Sequence, residues 1–104
     1  MPGYMVMNCV FHDIERFVSE YAPKAAESLA ANGGKVVFHS IGAKTVEGDF
    51  GSGGSFVMIE FPTLADAEAA WFSDEYQELK RLREGLADFH VLLVEGEFAP
   101  ASMN

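Results

Sequence analysis

The chain has 104 residues, which bounds it to one domain built on one hydrophobic core. With 49% hydrophobic and 22% charged residues it is globular in composition rather than disordered. Sixteen acidic residues against seven basic ones leave a net charge of −9, which excludes the basic surface that nucleic acid or an anionic membrane requires.

Cys9 is the sole cysteine, so no disulfide can form within the chain, and its apolar neighbours suit a small buried hydrophobe in a reducing compartment. The first eleven residues contain no Lys or Arg, and no long apolar run follows. Neither a signal peptide nor a transmembrane helix is expected, and the expected location is cytoplasmic.

Tyr4 to Phe11 reads as a strand, apolar at every position except Asn8. Asp13 is a good N-cap. Ile14, Phe17, Val18 and Tyr21 follow at i, i+3, i+4 and i+7, which predicts a single apolar stripe on a helix. Pro23 has no amide hydrogen, so the helix should kink or restart before continuing through Ala25 and Leu29. Asn32-Gly33-Gly34 ends it, because glycine adopts the left-handed C-cap at least cost.

Lys35 to Ile41 and Ser55 to Phe61 read as the second and third strands. Between them Gly42 to Gly54 is glycine-rich and long for a hairpin, either a flexible lid or a solvated turn. Pro62 ends the third strand. Thr63 or Asp66 caps a helix carrying Leu64, Ala67 and Trp71. Ser73 or Asp74 opens a further helical segment with Tyr76, Leu79, Leu82, Arg83 and Leu86 toward one side. Phe89 to Val94 is the last strand. The domain therefore spans 1–96, and 97–104 is a C-terminal tail expected to be loose.

The order β-α-β-β-α-β predicts an α+β, ferredoxin-like fold: a four-stranded antiparallel sheet with helices on one face. Such a sheet should present polar residues on its open face. Here Met5, Met7, Cys9 and Phe11 alternate with Tyr4, Val6 and Val10, and Val57, Ile59 and Phe61 alternate with Phe56 and Met58. Leu92 and Val94 likewise oppose Phe89, Val91 and Leu93. Both faces are apolar, so a face-to-face homodimer is expected to cover the open one.

The ordered set of motifs resembles domain-of-unknown-function family 1330, a branch of the dimeric α/β-barrel superfamily. The matching residues are Tyr4, Asp13, Pro23, Gly33-Gly34, Glu47-Gly48-Asp49 and Ile59-Glu60-Phe61-Pro62, then Ala70-Trp71-Phe72, Ser73 to Tyr76, Arg83 and Val94-Glu95-Gly96. The resemblance implies the dimeric barrel fold, and cofactor-independent oxygenases and isomerases as neighbours. Three positions depart from the family pattern. His39-Ser40 stands where Arg-Gly is usual, Phe17 where tyrosine is usual, and Phe50-Gly51-Ser52-Gly53-Gly54 where the hairpin usually carries Trp, Pro and basic residues.

Two residues are candidates for catalysis. His39, on a strand face beside Val37 and Ile41, is either a general acid or base or a partly buried histidine satisfied by a backbone carbonyl. Glu60 shares a face with Phe56 and Met58; it is either a proton-transfer carboxyl or half of a structural ion pair. Asp13, Trp71, Tyr76 and Arg83 are the candidate ligand-binding residues. Arg83 falls on the apolar stripe of its helix, where it either pairs with a carboxylate (Asp13 or Glu60) or clamps an anionic ligand. Trp71 and Tyr76 either anchor the core or rim a pocket. His12, His39 and His90 do not have metal-ligand spacing, so neither a metal nor a cofactor is expected.

Two functions fit. One is a small-molecule-binding protein or cofactor-independent enzyme with a pocket between sheet and helices, where acid/base chemistry requires His39, Glu60 and Arg83 to converge. The alternative is a non-catalytic homodimeric interaction or accessory module, in which His39 and Glu60 point apart and no concave pocket exists.

Overall fold

A computed structural model of the chain describes residues 1–49 and 54–99. The centre of the expected lid, Phe50 to Gly53, and the end of the expected tail, Pro100 to Asn104, lie outside the described residues. Four strands, β1 (Gly3–Phe11), β2 (Lys35–Ser40), β3 (Ser55–Phe61) and β4 (Ala87–Glu95), form one antiparallel sheet in the order β2-β3-β1-β4. Helices α1 (Ile14–Arg16), α2 (Ala22–Ala31), α3 (Leu64–Phe72) and α4 (Asp74–Leu79) cover one face, giving the expected ferredoxin-like α+β fold.

Helices α1, α3 and α4 begin where a side-chain oxygen takes an orphan amide. The Asp13 carboxylate accepts from Arg16 N at 3.1 Å, Thr63 Oγ1 from Asp66 N at 3.1 Å, and Ser73 Oγ from Tyr76 N at 3.1 Å. At the end of α2, Gly33 N donates to Ala30 O at 3.0 Å and Gly34 N to Leu29 O at 2.9 Å, with Gly33 at φ +86°. That pair of bonds is a Schellman C-cap, and it requires the left-handed backbone that glycine supplies.

The first helix is not one continuous α-helix. Phe17–Tyr21 is a π turn, in which Ala22 N donates to Phe17 O across five residues. Pro23 has no N–H to offer the carbonyl four residues earlier, and the turn widens just before it so that α2 can restart. This overturns the expected four-residue stripe: Phe17 is half-buried and Tyr21 buried, while Ile14 and Val18 are 54% and 56% exposed. A π turn changes the angular spacing of side chains, so the α-helical i, i+3, i+4, i+7 pattern does not hold across it.

The core lies between sheet and helices. Met5, Met7, Ile59 and Phe61 face Tyr21, Ala25, Leu29, Ala67, Ala70 and Tyr76. The opposite face carries Val6, Phe56 and Met58, half-buried, together with exposed Phe38, Leu92 and Val94. Both faces are apolar, as the alternation predicts. The start of the tail covers one corner of the open face: Gly96 N donates to Pro2 O at 3.1 Å, and the Phe98 ring meets Tyr4 edge-on at 5.6 Å. No helix of the described residues is long and apolar enough to cross a membrane.

Candidate functional site

The π turn and α2 stand over the β1–β3–β2 side of the sheet and leave a cavity of about 260 Å³ beneath them. Its walls are almost wholly apolar, with Met7 and Val57 from the sheet, Phe17 and Tyr21 from the π turn, and Ala25 and Leu29 from α2. His39 lines it and is exposed, which puts the imidazole at the mouth. A β-bulge between Val36 and Phe38 sets this position. Because the bulge shifts the alternation by one residue, His39 pairs with Val57 and shares the helix-facing side with Val36 rather than with Val37.

Cys9 lines the same cavity, and burial pushes its thiol up to about 11. It therefore stays protonated at neutral pH, a hydrophobic wall rather than a nucleophile.

Glu60 does not join His39. It pairs with Tyr4 on β1 and Lys35 on β2 and lies on the open face of the sheet, where its Oε2 accepts the Tyr4 hydroxyl at 3.0 Å. The two candidate acid/base residues are thus on opposite faces, separated by the sheet itself. Asp13 is occupied as the cap of α1.

Arg83 was expected to pair with Asp13 or Glu60, and the structure corrects this. Among the described residues no carboxylate lies within salt-bridge distance of it. The side chain, on a 3₁₀ turn (Lys80–Arg83), is 9% exposed. Nη1 donates to Tyr21 Oη at 3.4 Å and Tyr76 Oη at 3.3 Å, and the two hydroxyls are 2.6 Å apart. The guanidinium carbon lies 3.9 Å from the Phe89 ring centre, 5.7 Å from Trp71 and 5.8 Å from Tyr21. Cation–π attraction takes the place of the carboxylate. Burial raises the pKa of both Tyr21 and Tyr76, so neither hydroxyl ionises near neutrality to neutralise the cation.

The structure therefore joins two of the four ligand-binding candidates, Tyr76 and Arg83, into one network and sets Trp71 beside it. It leaves Asp13 apart. Tyr21, read from the sequence only as part of a stripe, is the link between this network and the cavity, since it both lines the cavity and bonds Tyr76 and Arg83. One signal for it was present. A buried tyrosine needs a partner for its hydroxyl, and Tyr76 and Arg83 lie on the core-facing stripe of another helix. Among the described residues no cluster of three His, Cys, Asp or Glu side chains could hold a metal ion.

The fold is shared with proteins of known structure. RPA0582, a protein of unknown function from Rhodopseudomonas palustris, superposes with a TM-score of 0.72 at 16% identity, over 94% of this chain and 84% of its own. SnoaB, a cofactor-independent oxygenase from Streptomyces nogalater, superposes with a TM-score of 0.64 at 16% identity, over 96% of this chain and 97% of its own. An antibiotic biosynthesis monooxygenase gives a TM-score of 0.50 at 17% identity, over 93% of this chain and 99% of its own. At such identities the likeness is one of fold. No protein of curated function matches the chain. The family model for the domain of unknown function DUF1330 matches residues 2–97, so with nearly its whole length covered the chain belongs to the DUF1330 family.

Proposed function

We propose that this protein binds a small, largely apolar molecule in the cavity beneath α2, with His39 at the mouth as the group able to exchange a proton with it. The cavity is the observation that carries this reading. At about 260 Å³ it is close to the lower end of ligand pockets, large enough for a single-ring molecule, and its walls offer van der Waals contact rather than hydrogen bonds. The likeness to SnoaB, a cofactor-independent oxygenase, adds a precedent for small-molecule chemistry on this fold. The position of Glu60 on the far face argues against a two-carboxyl or His–Glu mechanism. Any acid/base step would rest on His39 alone.

The working form we infer is a cytoplasmic homodimer. Phe38, Leu92 and Val94 are 51%, 52% and 44% exposed on the open sheet face, beside half-buried Val6, Phe56 and Met58. A patch of this kind is normally covered in a soluble protein, and a second copy supplies a matching surface.

A thermal-shift screen of single-ring aromatic and alicyclic compounds tests the cavity, since a ligand that binds only the native state must raise its melting temperature. Ala25 lines the cavity, so Ala25→Leu should abolish the shift while leaving the unliganded melting temperature unchanged or higher. Hits that survive Ala25→Leu would place binding elsewhere. An absence of hits would leave the non-catalytic dimeric module as the better reading. If ligands bind but His39→Gln turns over or binds them as well as the parent does, the proton-exchange role is wrong.

A further inference from the structure

The cluster of Arg83, Tyr21 and Tyr76 holds more hydrogen-bond donors than acceptors. Arginine donates only, and each tyrosine brings one hydrogen. One hydroxyl hydrogen lies between the two oxygens, 2.6 Å apart, and both oxygens accept from Arg83 Nη1. Whichever tyrosine donates to the other, the second hydroxyl hydrogen has no acceptor among the described residues. The Nε and Nη2 hydrogens of Arg83 have none there either. The rings of Phe89 and Trp71 attract the charge through their faces but offer nothing to the N–H groups, which lie in the guanidinium plane.

A cation that is 9% exposed and has no acid partner calls for an anionic acceptor from outside. The way in is a second hollow, of about 370 Å³, between the 3₁₀ turn and β4. Arg83 and Phe89 line it together with Lys80, whose ammonium sits 5.0 Å from the Trp71 ring centre. It is separate from the cavity beneath α2, with Phe89 the only one of the described residues common to the two linings.

We propose that this cleft binds a monovalent carboxylate, held in the plane of the Arg83 guanidinium with Lys80 as the second cation. The planar fork of arginine matches two carboxylate oxygens. Glu84 and Asp88 also line the cleft, and the chain as a whole carries −9, so a second negative charge on the ligand is penalised. That selects a carboxylate over a phosphate dianion. Asp88 is already engaged with His12, Nε2 to Oδ2 at 2.8 Å, and does not occupy Arg83.

Titration with sodium acetate, benzoate or phosphate at constant ionic strength, followed through the Arg83 Nε–Hε and the Gly85 to Phe89 backbone resonances, tests the proposal. Saturable shifts are expected with acetate and benzoate and weaker binding with phosphate. Arg83→Lys keeps the charge but loses the fork and should weaken acetate binding by about tenfold or more. Should that variant fail to fold, Lys80→Glu leaves Arg83 in place and should weaken acetate binding by about threefold or more, through loss of one cation and gain of one anion. No saturable shift up to about 50 mM acetate, affinity unchanged in the folded variants, or phosphate bound more tightly than acetate would each overturn it. Ala25→Leu, which alters the other cavity, should leave acetate binding unaffected.

Discussion

Tyr76 has no exposed surface, and its hydroxyl holds both Tyr21 and Arg83. Removing that oxygen strips one acceptor from a buried cation and one partner from a buried hydroxyl. Tyr76→Phe should therefore cost about 1–2 kcal/mol in urea unfolding, more than the loss of a solvated hydroxyl. A variant as stable as the parent would mean that water replaces the hydroxyl. Cys9 makes a different prediction. Burial is the largest influence on its thiol, which rises from 9.0 to about 11, so the thiolate is scarce at pH 8 in the folded protein and more plentiful once the chain unfolds. Iodoacetamide should label native protein far more slowly than denatured protein at that pH. The shift also lowers stability as pH rises, because between 9 and 11 the unfolded chain releases a proton that the folded one retains. A native labelling rate equal to that of the denatured chain would show Cys9 to be open to solvent.

Among the elements, the segment from Asp13 to Gly34 does the most to shape the site. Its caps were legible residue by residue, in Asp13 at one end and Asn32-Gly33-Gly34 at the other. Pro23 signalled an interruption but not its form. A restart, a kink and a π turn all satisfy a missing amide hydrogen, and only packing against the sheet selects among them. The choice matters, because the π turn brings Phe17 and Tyr21 to the cavity wall. At the far end, Gly33→Ala should destabilise the protein by about 1 kcal/mol or more. Its left-handed backbone disfavours any side chain, and the added Cβ would lie 3.2 Å from Pro62 Cδ. Gly48 is also left-handed at φ +76°, and among the described residues nothing would meet its added Cβ within 4 Å, so Gly48→Ala should cost less. Equal losses in parallel thermal melts would assign the whole effect to backbone conformation.

At the scale of the whole molecule the proposed dimer rests on the open sheet face. Leu92 projects from β4, an edge strand of the sheet, and is 52% exposed. Leu92→Lys should convert the proposed dimer to monomers in sedimentation equilibrium, because it places a charge on the apolar face assigned to the contact between two sheets. Since each chain carries −9, association of the parent should also tighten with added salt. A parent chain that sediments as a monomer at micromolar concentration would remove the basis for the dimer.

Alternation of apolar residues along the strands, the caps of the helices and the glycines at their ends are local properties, and they were enough to determine the β-α-β-β-α-β order, the ferredoxin-like sheet and its two apolar faces. The convergence of side chains was not local. His39 and Glu60 looked like partners because both are titratable and both sit among apolar neighbours, yet strand alternation and one bulge put the sheet between them. Arg83 lost its expected carboxylate for the same kind of reason: which groups meet inside a core depends on the angle at which helices cross the sheet, to which residue spacing along one chain segment is blind. Only the tertiary structure could show that three side chains from separate elements, Tyr21, Tyr76 and Arg83, share one buried network with a charge left to balance.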